Sequence, residues 1–278
     1  MRVPRASVAL AAITALTFAV AACSSPPATH WSEGQGEGGG GPVASVPTES
    51  ASPSASPTSP AGANPYLARV PKFGPPPVAQ PITVPTGPLA PIYHRLPVNQ
   101  PVAFLTMDDG FTQLPEAIEL MQAAHIRFTM FLKAPVATQS PAFFKQMEAA
   151  GGVIEDHTID HPEMKGKPYD YQRHEICDAR TMEENTFGIH VTLFRPPFGD
   201  YDDTTLRAVH DCGLKAAFHW SETVDHGVVF YQTANHHIQA GDIILMHFRP
   251  AFVADVLAAL TAIHDAGLTP ALLGDYIA

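Results

Sequence analysis

Two adjacent carboxylates end a short apolar run in the middle of the chain. Asp108 and Asp109 lie in the stretch FLTMDDGF, residues 104–111, and Gly110 follows them. Asp-Gly is a common turn pair, so a tight turn would account for these residues. Two negative charges side by side also favour a bound cation, because a positive charge between them relieves their repulsion. The stretch therefore indicates either a turn or a metal site.

Two histidines with metal-binding spacing lie further along the chain. His157 and His161 stand four apart in DHTIDHPEM, a spacing that puts two imidazoles on one side of a helical turn. In a chain with 14 histidines, such a pair can also be two ordinary loop residues. With an Asp as third ligand, two nitrogens and one oxygen would leave positions open for water and substrate, as catalytic zinc requires. These residue types indicate metal-assisted hydrolysis.

From Val98 onward, strand-like and helix-like stretches alternate. VAFLTM, RFTMFL, GVIED, VTLFRPP, KAAFHWS, DIILMHF and LTPALL predict strands, whereas LPEAIELMQAAH and residues 169–187 are among those that predict helices. The stretch between KAAFHWS and DIILMHF is expected to be a loop. Strands that alternate with helices of ten or more residues are typical of parallel βαβ units. The pattern therefore predicts an α/β fold.

Polar side chains follow several of these predicted strands. In a parallel α/β arrangement the functional site lies at the carboxyl ends of the strands. The residues at those ends are Asp108, Asp109, Asp156, His157, His161, Arg195, Trp220, Asp225 and His247. We therefore expect groups capable of metal binding and proton transfer to meet at one rim.

The composition restricts the classes of partner. The chain has 278 residues, of which 45% are hydrophobic and 15% charged, enough for a sizeable core. Residues 98–278 hold 24 acidic and 11 basic residues, a formal charge of −13. This balance argues against nucleic acid as a partner, because phosphate contacts need Lys and Arg.

The N-terminus resembles an export signal. Arg2 and Arg5 precede the apolar run VALAAITALTFAVAAC, which is too short and too Ala-rich for a membrane span. VAAC resembles a bacterial lipobox, in which the cysteine, here Cys23, becomes the lipidated first residue of the mature protein. The alternative is an ordinary cleaved signal. We expect residues 1–23 to be a lipoprotein-type signal, and the mature protein to be extracytoplasmic and anchored to the membrane by lipid.

A tether is predicted between the anchor and the domain. Residues 24–63 consist mainly of Ser, Pro, Gly, Ala and Thr, a composition that buries too little apolar surface to order the chain. Residues 64–97 are still Pro-rich but contain aromatic residues, so we expect irregular chain lying against the domain of residues 98–278. Within that domain, Cys177 and Cys212 could form a disulfide in an exported protein, but the sequence does not show whether they approach one another.

Five motifs, in order, carry a resemblance to a known family. LTMDDGF, HTIDHP, RPPFG, the segment from Trp220 to Asp225, and ILMH resemble the signature motifs of the NodB-homology polysaccharide deacetylases, carbohydrate esterase family 4. The resemblance covers roughly residues 98–275. It implies a distorted (β/α) barrel of about seven strands and the metal-dependent hydrolysis of acetyl groups on a polysaccharide.

The first three motifs imply roles for five residues. Asp108 corresponds to the family's catalytic base and Asp109 to its metal-binding aspartate, with His157 and His161 completing the ligand set. Arg195 is similar to the arginine that orients the catalytic aspartate, and its alternative is a surface ion pair. The resemblance thus implies one divalent ion, zinc before cobalt, nickel or manganese, since N and O ligands accept several first-row ions.

The residues expected to serve the last steps of the reaction lie in motifs that differ from the family pattern. Phe198 stands where the family usually has Tyr, and the group used there is the backbone N–H, which donates to the oxyanion. Trp220 corresponds to part of the sugar-binding wall. His247 is similar to the general acid that protonates the departing amine, and Asp225 is expected to raise the pKa of His247. Here His226 follows Asp225, and Phe248 follows His247 where the family commonly has Asp.

Three functions are compatible with these residues. The first is N-deacetylation of an amino-sugar polysaccharide, such as a cell-wall glycan or a chitooligosaccharide. The second is a polysaccharide O-acetyl esterase, which would demand less of His247 because alkoxides leave better than amines. The third is a non-catalytic lipoprotein that binds glycans. Asp108 and Arg195 favour catalysis, because a binding module has no use for a base oriented by arginine.

Overall fold

The computed structural model describes residues 64–278. The expected signal 1–23, the lipidation site Cys23 and the tether 24–63 lie outside the described residues. Within residues 64–278, no helix combines the length and the apolar character needed to cross a membrane. Residues 64–97 are mostly irregular and contribute buried side chains such as Val70, Ala90 and Leu96.

In the described part of the chain, ten strands form one curled sheet. They are β1 Ile92–Tyr93, β2 Val102–Asp109, β3 Phe128–Leu132, β4 Gly152–Asp156, β5 Leu193–Phe194, β6 Ala216–Phe218, β7 Glu222–Asp225, β8 Val228–Tyr231, β9 Ile243–His247 and β10 Thr269–Pro270. The order along the sheet is β1-β6-β5-β4-β3-β2-β9-β7-β8, with β10 beside β2. Every pair is parallel except β7 and β8.

Within residues 64–278, six α-helices connect these strands. They are α1 Pro115–Ala124, α2 Ala134–Gln139, α3 Pro141–Ala149, α4 Tyr169–Phe187, α5 Asp203–Asp211 and α6 Phe252–Asp265. Helix α5 begins with a capping box, in which the Asp202 carboxylate accepts from the Thr205 backbone N–H and the Thr205 hydroxyl accepts from the N–H of Asp202. Helix α4 spans the residues expected from the sequence.

The central strands β2, β3 and β9 are buried on both faces, which explains their continuous apolar composition. Strand β2 has seven buried residues followed by the half-buried Asp109, as strands of parallel sheets do when helices cover them. Phe104, Phe131, Phe218 and Tyr276 belong to one buried apolar cluster. Ring contacts within it join Phe104 to Tyr276 and Phe131 to Phe218.

The α/β barrel-type fold predicted from the sequence is confirmed, but the sheet has ten strands where about seven were expected, and the three additional ones are β1, β7 and β8. The stretch expected to be a loop forms the hairpin β7–β8. Its two turn residues, His226 and Gly227, have φ values of 51° and 75°. Positive φ at both central residues is characteristic of the tight turns that match the twist of paired strands. The two-residue His-Gly turn was the signal for this hairpin.

A disulfide joins two of the helices. Cys177 on α4 and Cys212 at the end of α5 are bonded, with their Cα atoms 5.1 Å apart. The sequence left this pairing open because the approach of the two cysteines depends on how α4 packs against α5.

A buried pair of carboxyl groups lies where the sheet curls back on itself. Glu222 at the start of β7 and Asp242 just before β9 are 1% and 3% exposed. Arg95, just after β1, bridges to Asp242, with 3.1 Å between its Nε and Oδ1. Burial, the charge of Asp242 and a hydrogen bond with it raise the pKa of Glu222 to about 8, whereas Arg95 lowers it. Glu222 is therefore protonated at neutral pH.

We expect Glu222 to make the fold less stable as the pH rises. The pKa of Glu222 is higher in the folded state than in the unfolded chain. The contribution of Glu222 to the free energy of unfolding is therefore present below about pH 4.5 and is lost as the pH rises through about 8. The free energy of unfolding should fall by up to about 1.4 kcal/mol per pH unit from this one proton. Urea unfolding at pH 6 to 9 should show a smaller decline for Glu222→Gln than for the wild type.

The exposed Glu116 offers a matched control for that measurement. Glu116→Gln removes the same type of group from the surface and should leave the wild-type decline unchanged. Parallel curves for Glu222→Gln and the wild type would contradict the assignment.

Candidate metal centre and catalytic site

The end of strand β2 presents both carboxylates to the same side. Asp109 has φ 74° and Gly110 has φ 94°, so the turn begins at the aspartate itself. A Cβ on Gly110 would lie 2.8 Å from the Phe144 ring, which leaves glycine as the residue that fits. On a regular strand, neighbouring side chains point to opposite faces. The left-handed backbone at Asp109 removes that alternation and brings its carboxylate toward the site.

Three ligand atoms converge at this rim. Asp109 Oδ1 lies 3.3 Å from His161 Nε2 and 3.7 Å from His157 Nε2, and one ligand atom from each residue lies within 4.8 Å of the others. Asp109 Oδ1 is buried and has no hydrogen-bond partner among the described residues. A buried acceptor between two imidazole nitrogens requires a partner. A metal ion fits that requirement, with two nitrogens and one oxygen as ligands.

The protonation of the ligands also fits a cation. His157 Nδ1 lies 2.7 Å from the Arg195 carbonyl oxygen and donates to it, which leaves the Nε2 lone pair facing the site. Burial lowers the pKa of His157 to about 3, so the ring is neutral. Burial raises the pKa of Asp109, an effect opposed by His157 and reinforced by Asp108. A bound divalent ion would supply the positive charge that this carboxylate lacks.

The segment that carries the two histidines is a loop and not a helical turn. Thr158 and His161 have φ values of 69° and 60°, and such left-handed residues other than glycine cost about 1–3 kcal/mol each. The prediction that His157 and His161 lie on one side of a helical turn was therefore wrong. Both imidazoles nevertheless lie beside the same oxygen, Asp109 Oδ1.

Asp108 is held by a buried arginine. Arg195 Nη1 donates to Asp108 Oδ1 at 2.7 Å and to the Thr106 hydroxyl at 2.7 Å. Arg195 is 0% exposed, with its guanidinium 4.3 Å from the centre of the Phe131 ring, which excludes the surface ion pair considered above. Asp108 Oδ2 is turned toward the ligand set, 3.8 Å from His157 Nε2. One carboxylate oxygen is thus engaged by arginine and the other faces the metal centre.

His247 and Asp225 are not partners, contrary to the expectation from the sequence. Asp225 Oδ1 accepts from Arg249 Nη1 at 2.7 Å and lies 3.0 Å from His226 Nδ1, and no hydrogen bond joins it to His247 within residues 64–278. Burial lowers the pKa of His247 to about 4, opposed by Asp108 and reinforced by Arg249. The turn of hairpin β7–β8 directs Asp225 toward Arg249, so the expected increase in the pKa of His247 is wrong.

Burial tends to raise the pKa of Asp225, but hydrogen bonds from His226 and Arg249 outweigh it and lower that pKa. Asp225 is therefore a carboxylate at the cleft wall. Its closest charge is the Arg249 guanidinium.

The candidate site opens into a cleft of about 540 Å³ with aromatic residues along its wall. Phe198 is 66% exposed, has φ 59° and packs its ring edge-on against His161, with 4.5 Å between ring centres. Trp220 stacks on His219 at 3.9 Å, and its buried Nε1 has no partner among the described residues. The exposed Phe198 ring offers a surface against which a cyclic ligand can stack, whereas the Trp220 Nε1 atom is shielded from solvent.

Three further residues of this region were missed at the level of sequence. Thr106 stands two before Asp108 on β2, and Arg249 stands two after His247. Residues two apart on a strand share one face, so this spacing was the available signal for Thr106, whereas Arg249 lies beyond the end of β9. Phe111 is 58% exposed just beyond the Asp pair. In the sequence, only its position beside Gly110 indicated a place in this region.

Comparisons with known proteins agree with this geometry. The polysaccharide deacetylase family model matches residues 95–217. An uncharacterised protein of Streptomyces coelicolor is 34% identical over 194 residues, which cover 68% of this chain and 78% of that protein. A chitooligosaccharide deacetylase of Sinorhizobium fredii is 27% identical over 200 residues, covering 62% of this chain and 90% of that protein.

Two solved structures share the fold. A peptidoglycan N-acetylglucosamine deacetylase superposes with a TM-score of 0.57 at 20% identity, over 68% of this chain and 93% of that one. A family 4 pseudoenzyme from Bacillus anthracis gives a TM-score of 0.59 at 20% identity, over 66% and 68% of the two chains. These two matches share the fold, and the family model and the relatives show that the chain belongs to the polysaccharide deacetylases, the NodB-homology members of carbohydrate esterase family 4.

Proposed function

We propose that this domain removes N-acetyl groups from an amino-sugar polysaccharide by metal-dependent hydrolysis. The observation that carries the proposal is the buried contact of 2.7 Å between Arg195 and Asp108 beside the converging ligand atoms. A buried arginine that engages one oxygen of a carboxylate beside a metal site supports the assignment of that carboxylate as a catalytic base. The similarity to a chitooligosaccharide deacetylase, and to a peptidoglycan-N-acetylglucosamine deacetylase of Bacillus cereus at 27% identity over 163 residues, supports an acetylated glucosamine polymer as substrate.

Asp109, His157 and His161 would hold the metal ion, with zinc proposed because two imidazoles and one carboxylate are a donor set typical of catalytic zinc. When bound, the ion would polarise the acetyl carbonyl and acidify a water molecule. Asp108 would accept the proton of the attacking water at Oδ2, because Arg195 occupies Oδ1. The buried guanidinium orients that carboxylate and offsets its charge.

The departing amine must be protonated before it can leave. His247 lies opposite Asp108 in the ladder between β2 and β9, so it is placed to pass a proton to the amine nitrogen. Since burial lowers the pKa of His247 to about 4, its ring enters the reaction neutral at pH 7. The proton that Asp108 takes from water is then the one available to His247.

Phe198 and Trp220 would hold the sugar and the reacting carbonyl. The left-handed backbone at Phe198 turns this residue at the cleft wall, where its N–H would donate to the oxyanion. The exposed Phe198 ring and the Trp220 indole would contact the sugar rings.

One observation favours a second candidate, a polysaccharide O-acetyl esterase. His247 lacks the Asp225 partner, and its pKa is lowered and not raised. An ester needs less help from an acid because its alkoxide leaves more readily than an amine. A purely glycan-binding role fits less well, because it gives no reason for the buried pair of Asp108 and Arg195.

Acetate release from a panel of acetylated glycans tests the proposal. We expect acetate from N-acetylated chitooligosaccharides or peptidoglycan fragments, loss of release after treatment with a chelator, and recovery when zinc is added back. Release from O-acetylated glycans alone would favour the esterase. Release that a chelator does not affect would contradict the metal assignment, and no acetate from any glycan would favour a binding role.

A further inference from the structure

Helix α4 forms hydrogen bonds with the backbone of the metal-binding loop. Residues 157–161 join the two histidine ligands, and two of the five, Thr158 and His161, have left-handed φ values. A strained backbone persists only where surrounding contacts determine it. The contacts that determine this loop therefore control how the two imidazoles are placed.

Hydrogen bonds within the loop restrain its two ends. The Thr158 N–H donates to the Asp156 carboxylate at 2.8 Å, and the His161 N–H donates to the Thr158 hydroxyl at 3.0 Å. The His157 N–H donates to the Leu132 carbonyl oxygen on β3 at 3.1 Å. None of these bonds involves the backbone N–H groups of residues 159 and 160, in the middle of the loop.

Glu175 supplies the acceptor for these two N–H groups. Its Oε2 accepts from the Ile159 N–H at 3.1 Å and from the Asp160 N–H at 2.9 Å. Glu175 lies on α4, is 1% exposed and is two residues from Cys177, whose disulfide to Cys212 ties α4 to α5. A carboxylate makes stronger hydrogen bonds to N–H groups than a neutral acceptor does. One buried oxygen on a braced helix thus binds both central amides of the loop.

We propose that Glu175 is a positioning residue for the metal centre. Its carboxylate holds the peptide between His157 and His161 in the conformation that points both Nε2 atoms at Asp109. Glu175 touches neither the metal position nor the substrate cleft. It acts on the ligands through the Ile159 and Asp160 amides, and this role rests on the proposed metal-dependent function.

The role predicts a specific change in metal affinity. Loss of groups that orient metal ligands typically weakens binding 10–100-fold. Glu175→Met, which keeps the length of the side chain without an acceptor, should raise the dissociation constant for zinc by about that factor in a chelator competition. Glu175→Gln retains a carbonyl oxygen and should restore a large part of the affinity.

A second measurement is made without metal. In the metal-free wild type, the Ile159 and Asp160 amides should exchange with solvent slowly, and Glu175→Met should accelerate exchange at these two positions selectively. This measurement separates the two proposals. If the wild type binds no zinc, the metal proposal fails, whereas the exchange of these amides still tests the hydrogen bonds from Glu175.

A matched control separates positioning from general destabilisation. Cys177→Ser/Cys212→Ser removes the brace on the same helix while both amides keep their acceptor. We expect this variant to unfold at lower denaturant concentration yet to bind zinc more tightly than Glu175→Met. Equal affinities for the two variants at matched stability would overturn the role. Wild-type affinity in Glu175→Met, or unchanged exchange of the two amides, would also overturn it.

Discussion

Asp108→Asn should lower the rate of acetate release by about 10²–10⁴-fold, the usual contribution of a general base, while the metal stays bound. The amide is isosteric and can still accept the hydrogen bond from Arg195, but it cannot take a proton from water. The ligands Asp109, His157 and His161 are untouched. Steady-state acetate release and elemental analysis of the same preparation would measure both effects.

The same substitution should also destabilise the protein. Arg195 is fully buried, and removing one partner of a buried ion pair typically costs about 3–5 kcal/mol. The activity must therefore be measured well below the unfolding transition. Asp265→Asn is the matched control, since its side chain is exposed at the end of helix α6, outside the metal-binding loop. Unchanged release by Asp108→Asn with metal bound would show that Asp108 is not the base.

His157→Ala/His161→Ala should leave the protein with almost no metal and with background activity. Two of the three proposed ligands are lost, and Asp109 alone does not form a site. A metal ion that polarises the carbonyl contributes several kcal/mol, so release should fall at least about 1000-fold. Elemental analysis after gel filtration measures occupancy, and the acetate assay measures the loss.

His236→Ala/His237→Ala is the control for this double variant. It removes two adjacent, exposed histidines that line a different cavity, between hairpin β7–β8 and helix α6. We expect full metal content and wild-type release. A double variant at positions 157 and 161 that still holds one metal ion would disprove the ligand set.

Much of the framework was predictable because it depends on local pattern. The apolar runs of β2, β3, β4 and β9 show which segments are buried strands, and polar residues at their ends indicate the rim. Helix α4 and the capping box of α5 follow from side chains close in sequence. These features require few contacts between distant segments, so periodicity and spacing suffice to find them.

The errors arose where distant segments decide the outcome. Asp225 was expected beside His247, but the turn at His226 and Gly227 directs it to Arg249. The histidine loop was expected to be helical, but it adopts left-handed conformations that bonds to Asp156 and Glu175 hold in place. Both outcomes depend on partners that no local pattern identifies.

The sequence by itself determined the types of groups at the site and the order in which the strands deliver them. It placed two carboxylates after one strand, two histidines after another and an arginine after a third, because strand ends are visible as the ends of apolar runs. Only the tertiary structure decided which oxygen of Asp108 meets Arg195, that Asp109 Oδ1 lies between two imidazole nitrogens, and that Glu175 holds the loop from behind. These depend on ångström-scale distances between residues far apart in the chain, which packing alone sets.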